Sequence, residues 1–239
     1  MIEQQSSTFD VGTKKHQIDW YAAKSGTAKR PAVVILHGID GMSGESGAEI
    51  GKFAEQIAGE GFLVFVPYYF DADDGADSFP IEELFLRRAP RLGSYPARIA
   101  AAVDHVLKQP DCDGRLGLVG FSLGGGLAIG YAESVAVGKV KALVDYFGYI
   151  SDPKYFLNAD RLPPTLILHN KADPIVKVPE SSQPLLDALG KTTVIHDHRF
   201  YKDVNPSRHN HPFLPGGEAD LDSRSRSVAW LKTHVMKSS

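Results

Sequence analysis

The chain is short of sulfur, of excess charge and of long apolar runs, and each shortage closes off a class of protein. Its 239 residues hold one cysteine, Cys112, so no internal disulfide framework is available. Lysine and arginine total 26 against 29 aspartates and glutamates, a formal charge of −3. With no basic block to displace the counterions of a phosphate backbone, nucleic acid is not an expected partner. The longest apolar runs, such as Ala32–Leu36 and Phe62–Val66, fall far short of the ~20 residues that cross a bilayer, and no membrane partner is expected. Met1–Asp10 has neither the basic start nor the apolar stretch of a secretory leader. Together with the lone cysteine, this points to the reducing cytoplasm.

What is present is 43% hydrophobic residues, enough for a sizeable core, and no internal repeat; one domain spanning residues 1–239 is the simplest organisation. Short β-rich apolar runs recur at Ala32–His37, Phe62–Val66, Arg115–Val119, Val140–Tyr146, Thr165–His169 and Thr192–Phe200. Most are apolar throughout, as in strands covered on both faces. Between them, Glu49–Ala58, Pro96–Leu107, Leu123 to about Ala136, Pro179–Leu189 and about Leu221–Val235 read as helices, the first two and the last carrying apolar residues at helical spacing. Alternation of this kind predicts an α/β fold with a mostly parallel central sheet and helices on both faces. Ser7–Val11 and His16–Ala22 suit an antiparallel edge hairpin, whereas Asp71–Pro80 and Asp203–Gly217 read as irregular, long enough to suggest a functional role.

The sharpest local signal is Gly120-Phe121-Ser122-Leu123-Gly124, between the strand ending at Val119 and a run of small residues. A serine on a tight strand-to-helix turn needs strained backbone angles, and flanking glycines let strand and helix approach closely enough to present its hydroxyl. Ser122 is therefore the candidate nucleophile, rather than a mere helix cap. A serine hydroxyl needs a base, and the base needs an acid. Asp173 follows the strand Thr165–His169, at the carboxyl end where open α/β sheets place their sites, which favours the acid over an ordinary turn aspartate.

Four histidines follow Asp173: His196, His198, His209 and His211. The first two lie two apart in a strand and share a face, whereas a base belongs on a loop beyond a strand end. His211 is the first choice and His209 the second. The oxyanion of an acyl-transfer intermediate needs two backbone N–H donors; Leu123, after the nucleophile, and Ile39, in the glycine-bearing turn His37-Gly38-Ile39-Asp40-Gly41, are the candidates.

These segments, together with Ala58-Gly59-Glu60-Gly61-Phe62 leading into Val64-Phe65-Val66-Pro67, His169 through Asp173, and His211-Pro212-Phe213 before a final helix, resemble the dienelactone hydrolase family of α/β-hydrolases over most of the chain. The resemblance implies the α/β-hydrolase fold and hydrolysis of an ester, lactone or thioester, without transferring a substrate. Two positions depart from the family's best-known members, which carry cysteine in place of Ser122 and a thiol-activating glutamate in place of Gly38. The two changes agree, since a serine served by histidine needs no such glutamate.

The expected activity is thus cleavage of a small ester or lactone by an acyl-enzyme with a Ser122, His211, Asp173 triad and no cofactor. Two other classes remain: a metal-dependent hydrolase using His196, His198, His209 and His211 as ligands, and a non-catalytic binding module on the same fold. Arg87, Arg88 and Arg91 read first as a solvated helix face, Cys112 as a turn residue before a strand, and Tyr68, Tyr69, Phe70, Tyr146 and Phe147 as core packing, some of them available to wall an acyl pocket.

Overall fold

The computed structural model describes residues 1–24, 28–71, 74, 79–150, 158–202, 213, 215 and 218–236. Eight strands form one sheet: β1 (Ile2–Val11), β2 (Lys14–Ala23), β3 (Arg30–Leu36), β4 (Leu63–Pro67), β5 (Cys112–Phe121), β6 (Val140–Tyr146), β7 (Thr165–Asn170) and β8 (His196–Tyr201). Their order is β1-β2-β4-β3-β5-β6-β7-β8. β1 and β2 pair antiparallel, β2 meets β4 antiparallel, and every pairing from β4 to β8 is parallel. The hairpin is longer than its alternation suggested. It closes at Gly12, whose φ of 59° is what the first position of so tight a turn demands.

The helices are α1 (Gly44–Gly59), α2 (Ile81–Arg88), α3 (Tyr95–Leu107), α4 (Leu123–Ser134), α5 (Ser182–Leu189) and α6 (Glu218–Leu231). In α1, Ile50, Phe53, Ala54 and Ile57 are buried, and in α3, Ile99, Ala102, Val103 and Val106, as their 3.6-residue spacing requires. Two apolar cores result. One lies between the sheet and α3, α4 and α5; the other lies under α1 and α6 on the opposite face. Among the described residues, no helix is long and apolar enough to cross a membrane.

Two differences from the sequence reading have clear local causes. β8 begins at His196 rather than Thr192 because Thr192 is spent on a turn: its amide donates to Leu189 O at 2.9 Å and its hydroxyl accepts from Val194 N at 3.1 Å. α2, which carries Arg87 and Arg88 and has no range in the sequence reading, is a short helix just after the irregular stretch. Glu82 and Glu83 in its first turn and Arg87 and Arg88 in its last complement the helix dipole.

Candidate active site

The chain leaves β3 for β4 on one side and reaches β5 on the other, so β3 and β5 flank a switch in strand order. The carboxyl ends of such strands diverge into a crevice, and both predicted loops arrive there. Ser122 follows β5 directly, with φ 51° and ψ −116°, angles that a residue with a side chain adopts only under constraint. Its amide donates to Tyr146 O at 2.9 Å, and its carbonyl accepts from Gly125 N at 2.9 Å, Gly126 N at 3.2 Å and Tyr149 N at 2.8 Å. A Cβ on Gly120 would overlap the backbone of Gly124 and Gly125, and one on Gly124 would overlap the carbonyls of Leu36 and His37. The glycines are therefore what brings strand, serine and helix together. α4 starts at Leu123, placing Ser122 and the first-turn amides at a helix N-terminus, where the dipole favours negative charge.

The loop after β3 lies alongside. Pairing of Leu36 with Gly120 carries the two chains forward in step, and a Cβ on Gly38 would stand 3.6 Å from that of Ser122. The same Cβ would come within 2.7 Å of Asp40 Oδ1, so Asp40 fills the space a side chain at position 38 would need. Gly41 N donates to Gly38 O at 3.1 Å, closing the turn around the buried Ile39. His37 stacks on Tyr69, with centroids 4.1 Å apart and planes within 6°, and its carbonyl accepts from the Tyr69 hydroxyl at 2.5 Å. Tyr69 thus packs, as expected, but against this loop.

Arg88 overturns the expectation of a solvated face. It is fully buried, donates through Nη1 to Ile39 O and through Nε to Asp74 O at 3.2 Å, and lies 3.9 Å over Phe70. The Asp74 carboxylate is held by Arg91 at 3.3 Å and Arg98 at 2.7 Å. Arg87 does meet the expectation, exposed and paired with Glu83 at 2.6 Å.

Asp173 occupies the loop after β7, buried. Its Oδ1 accepts from Ile175 N at 2.8 Å and Val176 N at 2.9 Å, and its Oδ2 lies 3.2 Å from His169 Nε2. His169 is a residue the sequence reading used only as a motif landmark. Its Nε2 also lies 2.8 Å from Val176 O, which can only accept, so Nε2 carries the hydrogen; Nδ1 pairs with the Ser182 hydroxyl at 2.6 Å. With both ring nitrogens engaged and the ring wholly buried, His169 fixes the acid loop rather than serving as a base.

His209 and His211 lie outside the described residues. Phe213 is described, and it is firmly seated: its ring is 4.3 Å from that of Phe121, the residue before Ser122, and 5.5 Å from Phe53. Arg224, from α6, lies 4.3 Å over the Phe213 ring and donates to its carbonyl at 3.0 Å. Arg224 is itself held by Glu49 at 2.8 Å and Asp220 at 2.6 Å. Burial would raise the Glu49 carboxyl, but Lys52 and Arg224 outweigh it and hold the group below its ordinary value. No sequence signal marked Arg224, because its partners come from helices at opposite ends of the chain.

His196 and His198 stay away from the crevice. His196 Nδ1 lies 2.8 Å from Val194 O, and His198 is exposed beside Phe200. Among the described residues, no three or more His, Cys, Asp or Glu side chains are gathered as metal ligands would be. Cys112 is buried as the first residue of β5, and burial pushes its thiol above the ordinary range, the opposite of activation.

Comparison with known proteins agrees with this geometry. A model of the Dienelactone hydrolase family matches residues 18–236. A carboxymethylenebutenolidase of Pseudomonas sp. (strain P51) is 27% identical over 186 residues, covering 74% of this chain and 75% of its own. Among solved structures, a Klebsiella pneumoniae subsp. pneumoniae protein provisionally named dienelactone hydrolase has a TM-score of 0.82 at 18% identity, covering 98% of this chain and 100% of the other. The Pyrococcus horikoshii acylaminoacyl peptidase has a TM-score of 0.77 at 15% identity, covering all of this chain and 43% of its own. At such identities the solved structures establish the α/β-hydrolase fold.

Proposed function

Because the chain belongs to the dienelactone hydrolase family, we propose that it cleaves a small ester or lactone through an acyl-enzyme on Ser122. The observation that carries this reading is the strained serine itself: φ 51° on a turn between Gly120 and Gly124, with the Gly38 loop beside it. Strain of this kind is retained where it presents a group for chemistry.

In the first half-reaction the Ser122 oxygen attacks the acyl carbon while its proton passes to His211. The carbonyl oxygen takes up the negative charge, held by the amides of Ile39 and Leu123. Collapse of the intermediate breaks the ester bond, and His211 returns the proton to the departing alkoxide. Water then repeats the sequence and frees the acid. Asp173 orients the imidazole and stabilises its charged form. Its own position supports this role: β7 is two strands from β5, about 10 Å at the ordinary strand spacing, a gap one imidazole spans.

The seat of Phe213 beside Phe121 favours His211 over His209. His211 is two residues from that anchor, a reach of at most ~7 Å, and His209 is four, a reach of at most ~14 Å. The test is hydrolysis of short p-nitrophenyl esters. Ser122→Ala is expected to lose at least ~10³-fold in kcat with unchanged circular dichroism. His211→Ala should fall comparably and His209→Ala by less than ~10-fold. Undiminished turnover by Ser122→Ala overturns the mechanism, and loss confined to His209→Ala moves the base there.

A further inference from the structure

A cleft of about 210 Å³ runs along α4 from Leu123, the residue after Ser122, to Ser134. One wall is the helix face bearing Leu123, Leu127 and Gly130; the other includes Leu92, Tyr149 and Ile150. Among the described residues, none lining it is charged. Ser134 turns its hydroxyl back onto Gly130 O at 2.5 Å, and burial pushes the Tyr131 hydroxyl up to about 12, so neither offers an ionic partner. The volume is roughly one and a half times the ~150 Å³ apolar cavity that accepts a benzene ring, room for about eight carbons.

Two glycines of this helix face differ. A Cβ on Gly126 would overlap Tyr149 O, so its absence is a packing requirement. A Cβ on Gly130 would meet nothing within 4 Å. A mid-helix glycine weakens a helix relative to alanine, and here no neighbour demands it. What it leaves is open space in the cleft.

We infer that this cleft is the acyl-chain site of Ser122, that the substrate is an ester with an uncharged, unbranched acyl chain of roughly four to eight carbons, and that Gly130 sets the chain-length limit. This rests on the acyl-enzyme reading above. The acyl group is the part of the substrate that remains on Ser122 through both half-reactions, and the cleft starts at the next residue.

The experiment is the ratio of kcat/KM for p-nitrophenyl hexanoate to that for the acetate. A buried methylene contributes up to about fourfold, so the ratio should be at least tenfold in favour of hexanoate in the wild type. Gly130→Phe should lower that ratio at least tenfold, and Gly130→Leu, the smaller second variant, by less, with melting temperatures confirming that both fold. The adipate monoester, which matches hexanoate but ends in a carboxylate, should react at least tenfold more slowly. A ratio near one in the wild type, a ratio unmoved by both variants, or equal rates for hexanoate and adipate would each overturn the inference while leaving the acyl-enzyme intact. Retained turnover in Ser122→Ala would instead remove the acyl-enzyme, and this inference with it.

Discussion

Two buried arginines on opposite faces of the sheet do the same structural task while joining different parts of the fold. Arg88, on one face, donates to Ile39 O and lies 3.9 Å over Phe70; Arg224, on the other, donates to Phe213 O and lies 4.3 Å over Phe213. Each therefore holds one loop of the crevice by a backbone carbonyl, the first near the proposed oxyanion site and the second two residues past His211. They differ in what they join. Arg224 ties Phe213 to α1 and α6 through Glu49 and Asp220, at 2.8 and 2.6 Å. Arg88 ties Ile39 O to Asp74 O, on one face, and the Asp74 carboxylate is held by Arg91 and Arg98. Removing the first should therefore loosen two helices as well as a loop, and removing the second chiefly the loops.

Removing Arg224 should have the largest effect. Arg224→Met keeps much of the volume but leaves Asp220 without this partner and Glu49 with Lys52, and breaking such a buried pair costs about 3–5 kcal/mol. Urea unfolding at pH 7 should show that loss of stability. A variant within 1 kcal/mol of wild type would erase the contrast between the two arginines.

Asp145 sharpens the comparison as a buried charge with no clamp. It lies on β6 beside Gly120, wholly buried, and no side chain among the described residues hydrogen-bonds either carboxyl oxygen. Burial pushes its carboxyl up to about 7 from 3.8, against a weak opposing pull from the Gly148 amide. Below pH ~4 the group is protonated folded and unfolded alike. Between ~4 and 7 the unfolded chain releases the proton while the folded chain keeps it, so stability falls as pH rises, and above 7 the loss levels off. The full span is worth at most ~4 kcal/mol. Asp145→Asn should abolish that slope, leaving the variant's stability relative to wild type rising from pH 4 to pH 8 in urea titrations. A constant difference across that range would show that Asp145 ionises normally.

The contrast between the arginines also marks where sequence reading stops. The serine turn was legible because its cause is local: Gly120 and Gly124 are within two residues of Ser122, and their overlaps with neighbouring backbone are fixed by the turn itself. The strands around the crevice and their mostly parallel sheet followed from apolar runs and the α/β alternation, whereas their order in the sheet did not. Arg88 was not legible, because arginine is normally a surface residue and its partners here include Asp74, Phe70 and Ile39, all from other segments of the chain. His169 looked like one more strand residue; its bonds to Ser182, Asp173 and Val176 require the turn that follows β7. The described walls of the cleft along α4 come from separate segments, so no single stretch announced it, and the aromatics read first as core packing are not among its described lining residues.

The smallest predicted effect isolates the loop-holding role. Arg88→Met should keep apolar contact with Phe70 but release Ile39 O and Asp74 O, and the Asp74 carboxylate retains Arg91 and Arg98. Global stability should therefore fall less than in Arg224→Met. Turnover should suffer more than binding, because an amide misplaced by a fraction of an ångström loses its strength where the oxyanion develops. Complete loss of one such donor costs about 10²–10³ in kcat; a loosened one should cost about 10–100-fold, or ~1.4–2.7 kcal/mol of transition-state stabilisation. Steady-state kinetics on p-nitrophenyl butyrate should show kcat falling with KM changed less than about threefold. A rise in KM at constant kcat would mean that Arg88 shapes the substrate's seat and not the amide of Ile39, and the two arginines would then differ in function as well as in what they join.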